Sequence, residues 1–518
     1  MNMIDIIAKN ARFYPQHTAF VEVRPVSQSR RSISWAQFDD RIHRLAGSLI
    51  ANGISKGDKI FILGRNSINW LEVYFAVMAT GAWAVPLNFR FEDESIQYCA
   101  NVALPAAFLM DAEYAPRINA MRSQLSTVKN YFCIGDLAGM QNIEALIDSV
   151  PAGRPEVAIE DDAACALYFT SGTTGEPKPV LHVHKNLMCV AINEATNERW
   201  EQTDCMLMLP PFYHLAIGHL LGCMLAGGTA IFLTEKVTPA YIFENISNER
   251  ISMVFLLVPW AMDILQALDK GALKKEDYDL TCWRLLYMGA QPIPPSLVQR
   301  WLKYFPGMQF DNVYGLSETT GPGTLHLGIG NQAKIGAIGR PGLLWDVRIV
   351  DDQGEDVPQG QVGEIIVKGA GLMQEYYKNP ALTAQTIRNG WLFTGDLGKS
   401  DEDGFIYFVD RKKDLVNSGG ENIYPVEVEA VILRHPDVHD VAVIGTPDER
   451  LGEIVTAVIE LVPGRVASEE EMTAFCEQNM PRYKRPRRFI FDQIPRSSTG
   501  KIEKPRLRAK YGQPEALV

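Results

Sequence analysis

The chain lacks the marks of an oxidising compartment, a membrane or a nucleic-acid partner. Its eight cysteines, at 99, 133, 165, 189, 205, 223, 282 and 476, form no Cys-x-x-Cys pair. The cysteines therefore suggest neither a zinc site nor a disulfide framework. Several lie inside apolar runs, where a reduced thiol acts as a small hydrophobe, so a reducing cytoplasm is expected. No apolar run approaches the roughly 20 residues a membrane helix needs. The N-terminal stretch Met-Asn-Met-Ile-Asp-Ile-Ile-Ala-Lys-Asn-Ala-Arg lacks a signal peptide's apolar core, so a soluble protein with no membrane span is expected. Positive charge is in the minority: 50 Lys and Arg against 62 Asp and Glu give a net charge of −12, which disfavours nucleic acid. No internal repeat or low-complexity segment is present. What remains is a 518-residue chain, 47% hydrophobic and 22% charged, long enough for two or more globular domains.

Patterning predicts an α/β fold. Ser34-Trp-Ala-Gln37 reads as a capping box, followed by Phe38, Ile42, Leu45, Leu49 and Ile50 at helical spacing up to Asn52-Gly53. Residues 59–63 read as a strand, 68–79 as a helix and 82–87 as a strand, and apolar strands recur at 206–209, 230–233, 253–258 and 285–288. Short strands alternating with helices imply parallel β-α-β units. Residues 346–409 are more β-rich, with strands at 347–350, 363–368 and 404–409. Beyond Arg411-Lys-Lys-Asp414 a smaller α/β unit is expected, with a helix at 425–434 and strands at 438–445 and 454–462. The expected organisation is a large multi-layer N-terminal domain with a β-rich subdomain over 1–409, a hinge at 410–413, and a small mobile α/β C-terminal domain over 414–518. Residues 481–510 carry eleven Lys and Arg against two acids. Such a stretch is either a solvated face or a surface for phosphate groups.

One stretch points to chemistry. Tyr168-Phe-Thr-Ser-Gly-Thr-Thr-Gly-Glu-Pro-Lys178 follows an apolar strand, residues 164–169. Its glycines allow close backbone approach, its hydroxyls and amides donate, and Lys178 adds a cation, so the loop suits a polyphosphate. It is not a Walker A loop, because Gly172 and Gly175 are too close and Pro177 precedes the lysine. A Ser/Thr/Gly cluster alone would be a flexible surface loop. The whole string is more specific, and it resembles the phosphate loop of the adenylate-forming (ANL) superfamily: acyl-CoA synthetases, peptide-synthetase adenylation domains and luciferases. Pro179 departs from the glycine usual there. It removes an N–H and stiffens the loop exit.

Four further segments follow in the order the resemblance implies. Tyr314-Gly-Leu-Ser-Glu-Thr319 resembles the superfamily's Tyr-Gly-x-Thr-Glu motif. By that resemblance Tyr314 flanks adenine, Asn312 lies at its amino edge, Thr319 approaches the α-phosphate and Glu318 holds Mg²⁺. A hard cation on ATP takes carboxylate oxygen. Gly289, Ala290 and Gln291 match the segment covering the nucleotide's other face. Thr170, Ser171, Gly172, Thr173, Thr174 and Gly175 are the phosphate-loop residues. Phe393-Thr-Gly-Asp396 and, about fifteen residues on, Asp410-Arg411 match a ribose grip of Asp396 and Arg411. Pro211-Phe-Tyr-His214 resembles the motif bordering the acyl pocket, and His214, Gly218, Trp260, Gly289, Gly315 and Thr320 are its implied lining. Ser418-Gly-Gly-Glu421 places Gly419 and Gly420 on the CoA channel, Pro495-Arg-Ser-Ser-Thr-Gly-Lys501 supplies the C-terminal catalytic lysine Lys501, and Lys413 takes the hinge position.

The resemblance spans essentially the whole chain and implies a carboxylate–CoA ligase of the AMP-forming acid–thiol type. Its cofactors would be ATP, Mg²⁺ and coenzyme A, and Lys501, Lys178 and Glu318 its catalytic residues. Residues 211–221 carry no aspartate of the kind that holds an amine in peptide-synthetase domains, and no carrier module is expected after Val518. A stand-alone adenylating enzyme that passes its acyl group to a carrier protein, luciferase-like oxidation of an adenylate, and a catalytically silent acyl- or nucleotide-binding protein stay open as alternatives. The mostly small or apolar pocket residues point to an aromatic or short-to-medium aliphatic acid rather than a sugar acid.

Overall fold

The computed structural model describes residues 1–170, 177–214, 216–496 and 502–512. The chain forms two compact units, residues 1–346 with 368–392, and residues 347–367 with 393–518.

The first unit is built on two sheets. A nine-stranded sheet runs in the order Arg340–Pro341, Gly321–His326, Gln309–Leu316, Leu285–Gly289, Met253–Leu256, Cys205–Met208, Thr229–Leu233, Thr18–Arg24, Ser29–Ser34. Its six strands from Gln309–Leu316 to Thr18–Arg24 are parallel, as the β-α-β pattern predicts. A seven-stranded sheet runs Glu375–Tyr376, Lys178–Val183, Ala164–Thr170, Trp83–Pro86, Lys59–Leu63, Ala107–Asp111, Asn130–Ile134. One core cluster takes side chains from both, such as Phe20 and Phe232 from the first and Ile60 and Ile62 from the second, with Leu45, Phe75, Leu187 and Leu221 from intervening helices. Helix Ile68–Ala79 is mostly apolar and is buried along almost its whole length, and its buried charge, Glu72, is met by Arg41 Nε at 2.6 Å. Helix Trp35–Ala51 begins with the expected capping box: Ser34 Oγ accepts from Gln37 N and Gln37 Oε1 accepts from Ser34 N at 2.9 Å.

In the second unit, Ile406–Arg411 pairs antiparallel with Trp391–Ser400, with Asp396 opposite Arg411. A further sheet runs Glu421–Ile423, Val416–Ser418, Gly452–Leu461, Val438–Asp448, with Arg488–Phe491 added parallel to Gly452–Leu461. Helices Pro425–Ile432 and Glu469–Asn479 cover one face through Val428, Ile432, Met472 and Cys476. Leu507 of helix Lys504–Tyr511 packs on Ala442, Ile444 and Val458 of the other. The long ribbon of Val438–Asp448 and Gly452–Leu461 exceeds the expected strand lengths, because its antiparallel pairing runs on to Asp448 and Gly452. Of the β-rich segment, residues 347–367 and 393–409 lie in the second unit and residues 368–392 in the first. Asp410 Oδ2 accepts from Val426 N at 2.9 Å. Among the described residues no helix is long and apolar enough to cross a membrane.

Candidate active site

The phosphate-loop segment connects two antiparallel strands. Thr170 ends Ala164–Thr170 and stands opposite Lys178, the first residue of Lys178–Val183. Ser171, Gly172, Thr173, Thr174 and Gly175 lie outside the described residues. Pro179 sits within the ladder opposite Phe169, and its carbonyl accepts from Tyr377 N at 2.8 Å. The N–H it lacks would face the same side, toward the two-residue edge strand Glu375–Tyr376, which is where a sheet tolerates proline.

That edge strand carries a residue the sequence reading did not single out. Tyr376 is 2% exposed, and its hydroxyl donates to Glu318 Oε1 at 2.6 Å. Lys178 Nζ lies 5.4 Å from the centre of the same ring. The structure thus gathers Lys178 and Glu318, separated by 140 residues in sequence, on one tyrosine. Burial pushes the Tyr376 hydroxyl well up, and Glu318 pushes it further, so it stays a donor. Glu318 is half-buried and held at one oxygen. It presents the carboxylate donor a hard dication takes, so the residues present fit a magnesium ion accompanying ATP.

The other nucleotide candidates of this unit cluster at the carboxyl ends of two adjacent parallel strands, where open α/β sheets bind ligands. Met288 and Gly289 pair with Asn312 and Val313. Gly289 cannot carry a side chain, since a Cβ would stand 2.4 Å from Val313 O. Ala290 is exposed at φ 69°, Gln291 and Tyr314 are half-buried, and the Asn312 amide is held by a bond from its Nδ2 to Ala337 O at 2.9 Å. Thr319 departs from expectation. It is fully buried, and its hydroxyl accepts from Leu316 N at 2.8 Å and from Thr324 Oγ1 at 2.8 Å while donating to Leu316 O at 3.1 Å. Its hydroxyl closes the turn. The hydroxyl position of Tyr-Gly-x-Thr-Glu falls on half-buried Ser317, which the motif spacing itself marked and the sequence reading passed over.

Of the acyl-pocket candidates, His214, Trp260 and Gly315 are half-buried. Gly315 lets two strands cross closely, as a Cβ would stand 1.8 Å from Gly321 O. Gly218 is buried and closely packed, since a Cβ would lie 2.6 Å from Pro322 Cδ. Thr320 is fully buried, at φ 65°, with its hydroxyl on Gly371 O at 2.7 Å and His182 Nδ1 at 3.1 Å.

In the second unit Asp396 is 2% exposed and pairs with Arg411 Nε at 3.2 Å. The turn before it is pinned by Gly395 N on Glu364 Oε1 at 3.0 Å and by Thr394 Oγ1 on Ile365 O at 2.6 Å. Glu364, also missed from sequence, takes Lys412 Nζ at 3.2 Å on its other oxygen. On the far side of exposed Lys413, Asp414 pairs with Arg508 at 2.8 Å. The hinge candidate therefore lies between two anchored neighbours. Gly419 and Gly420, at φ 62° and 89°, form the two-residue turn joining Val416–Ser418 to Glu421–Ile423, a geometry that by itself calls for glycine. Lys501 lies outside the described residues, which resume at Ile502, bridged to Arg496.

The family model of the AMP-binding enzymes matches residues 7–377, and that of the AMP-binding enzyme C-terminal domain matches residues 427–501. The chain is an AMP-binding enzyme. Similar members include a feruloyl-CoA synthase of Amycolatopsis sp, 33% identical over 97% of this chain and 98% of that one. A long-chain-fatty-acid–CoA ligase of Mycobacterium tuberculosis, FadD13, is 31% identical over 98% of both. The crystal structure of the anthranilate CoA ligase AuaEII in complex with anthranoyl-AMP matches at TM-score 0.89 and 25% identity, over 98% of this chain and 97% of that one. In this AMP-binding enzyme the first family match ends at residue 377, one residue beyond Tyr376.

Proposed function

We propose that this AMP-binding enzyme is an ATP-dependent carboxylate–CoA ligase of the AMP-forming acid–thiol type. The observation that carries the reading is the convergence of Lys178 and Glu318 on Tyr376 beside the strand ends bearing Asn312 and Tyr314. The similarity to CoA ligases over nearly the full chain supports it. In the first half-reaction the acid's carboxylate attacks the α-phosphorus of ATP and pyrophosphate leaves, giving acyl-AMP. Lys178 and Lys501 offset negative charge on the phosphate oxygens. Glu318, oriented by Tyr376, would hold the magnesium ion, which neutralises phosphate charge when bound. Asp396 and Arg411 take the ribose, and Asn312 and Tyr314 the adenine. In the second half-reaction CoA thiolate attacks the acyl carbon along Gly419–Gly420 and AMP leaves, after rotation at Lys413 has withdrawn Lys501. No protein nucleophile is needed.

The substrate class we assign is an aromatic acid. His214 and Trp260 are half-buried aromatic side chains, and Gly315 stands where a Cβ would meet Gly321 O. All eight cysteines are free thiols, which fits a reducing cytoplasm. The test is acid-dependent AMP release with CoA present, over a panel of benzoic, cinnamic, arylacetic and straight-chain acids. Aryl acids should give AMP, pyrophosphate and the CoA thioester. Release of ADP, or acyl-AMP that never passes to CoA, overturns the reading and favours a phosphotransferase or a carrier-protein-dependent enzyme.

A further inference from the structure

Five ionisable side chains meet in the interior of the first unit, outside every motif used above. Glu194 lies in the last turn of helix His184–Asn197, and Glu198 caps that helix four residues on, so the two carboxylates share one face. His326 ends strand Gly321–His326, Asp311 lies on the neighbouring strand Gln309–Leu316, and His219 comes from helix Ile217–Ala226. Glu194, Glu198 and Asp311 are fully buried, and His326 and His219 are 3% and 5% exposed.

The hydrogen bonds among them leave a particular remainder. His219 Nδ1 meets Glu194 Oε2 at 3.0 Å. His326 Nδ1 meets Asp311 Oδ2 at 2.9 Å, and Asp311 Oδ1 accepts from Gly328 N at 2.6 Å. Among the described residues His326 Nε2, Glu194 Oε1 and both Glu198 oxygens have no hydrogen-bond partner, although all are buried. Glu198 Oε1 lies 3.6 Å from His326 Nδ1, the nitrogen that also meets Asp311. Nε2 of His326 is 3.7 Å from Oε1 of Glu194, and one donor atom from each of Glu194, Glu198 and His326 lies within 4.8 Å of the others. Buried polar groups are nearly always paired, and ionised carboxylates most of all.

We propose that Glu194, Glu198 and His326 bind a divalent first-row transition-metal ion of the zinc type, held in place by Asp311 and His219 and separate from the magnesium of ATP. Imidazole nitrogen with carboxylate oxygen is a donor set for such ions. A ligating histidine ordinarily gives its other ring N–H to a carboxylate, and Asp311 occupies that place at Nδ1, leaving Nε2 for the ion. His219 holds the far oxygen of Glu194 in the same way. The 3.7 Å between Nε2 and Oε1 is what two ligands about 2.1 Å from one centre span at a wide tetrahedral angle. Glu198, whose oxygens accept no hydrogen bond among the described residues, supplies the third ligand. A dication cancels the two glutamates. Gly323 passes against the same atoms: a Cβ there would stand 3.3 Å from His326 Nε2 and 3.4 Å from Glu194 Oε1. The ion ties the end of helix His184–Asn197 to the strand that follows the Glu318 turn.

The experiment is the metal content of the full chain, produced without a metal-affinity tag and measured by inductively coupled plasma mass spectrometry. About one equivalent of a single first-row metal per chain is expected for wild type, and less than about a tenth for Glu198→Gln. His435→Ala should keep the full equivalent, because it disrupts only the other group of metal-type side chains, His435, Asp437 and Glu471. If Glu198→Gln does not fold, chelator-stripped wild type decides. It should take up Co²⁺ with a visible d–d absorption, and its melting midpoint should rise on addition of Zn²⁺. Wild type that is metal-free as isolated and takes up neither Co²⁺ nor Zn²⁺ overturns the proposal, leaving a shared proton on the glutamates. So does a full equivalent retained in folded Glu198→Gln.

Discussion

Tyr376 shows how much one side chain can organise. It is a positioning residue, since its hydroxyl touches Glu318 and its ring lies under Lys178. Tyr376→Phe keeps the ring and removes the donor. Loss of a partner that orients a metal-binding carboxylate typically costs about 10–100-fold in metal affinity. The Mg²⁺ concentration for half-maximal adenylation should therefore rise by about tenfold or more, with KM for the acid nearly unchanged; an unaltered Mg²⁺ dependence would detach Glu318 from the ion. Lys504 gives a stability counterpart. Only 9% exposed, it pairs with Glu429 Oε1 at 2.8 Å. Burial pulls its pKa down, but Glu429 and Asp410 more than offset this and hold it charged. Removing one partner of a buried pair costs about 3–5 kcal/mol. Lys504→Met should lose stability of that order in urea unfolding, and a loss below about 1 kcal/mol would show that water reaches the pair.

At the scale of elements, two turns carry the predictions. Gly419-Gly420 has a structural reason to be glycine, since both residues have positive φ. Asn-Gly serves the same two-residue turn. Gly419→Asn should therefore leave the fold intact while placing a side chain where a thin ligand would pass. Thioester formation from pre-formed acyl-AMP should fall by about tenfold or more with adenylation unchanged; equal rates in both halves would leave these glycines a purely structural role. The second is the stretch that joins Asp410 to Val426. Burial pushes the Asp410 carboxyl up to about 6, from an ordinary value of 3.8. The folded chain then holds this proton more tightly than the unfolded one, so the group's contribution to stability falls as pH rises from about 4 to about 6. Against Asp410→Asn, which does not titrate, wild type should gain about 2 kcal/mol as pH drops from 7 to 4. A pH-independent difference in urea midpoints would contradict the burial argument. The basic stretch of residues 482–488 is less uniform than its sequence: Lys484 pairs with Glu427 and Arg485 with Glu477, while Arg482 and Arg487 are exposed. Any anion surface there rests on fewer charges than composition counts.

For the whole molecule, the reading requires one chain to perform two half-reactions. Lys413 lies between Lys412, tied to Glu364 and Asp352, and Asp414, tied to Arg508. Torsion at residue 413 leaves both sets of bonds whole but breaks the hydrogen bond from Val426 N to Asp410, which spans it. Lys413→Pro locks φ near −65°. Acyl-AMP should form at close to the wild-type rate and accumulate, with thioester formation down by about 100-fold or more. A wild-type rate of thioester formation from acyl-AMP would move the hinge elsewhere. Lys501→Ala should do the opposite, slowing adenylation by roughly 10²–10³-fold and sparing thioesterification.

Local order was legible in the sequence because local rules decide it. The Ser34–Gln37 capping box, the mostly apolar helix Ile68–Ala79 and the short strands follow from side-chain period and hydrogen-bonding groups within a few residues. The motifs were legible for the same reason, since a phosphate loop or a Tyr-Gly-x-Thr-Glu turn needs its residue types at fixed spacing. Distant chain segments come together only on folding, and their contacts have no spacing to read. Tyr376 reaches Glu318 across 58 residues, and Glu364 reaches Gly395 across 31. Thr319 and Thr320 read as ligand-facing hydroxyls until the turn and Gly371 claimed them. The histidines and carboxylates at 194, 198, 219, 311 and 326 sit in ordinary helix and strand patterns, and only the packing of helix on sheet turns them into one buried group. Sequence determined the elements, the family and the chemistry they are built for. Tertiary structure decided which polar atoms are satisfied and which are left facing one another, because burial removes the water that would otherwise pair them.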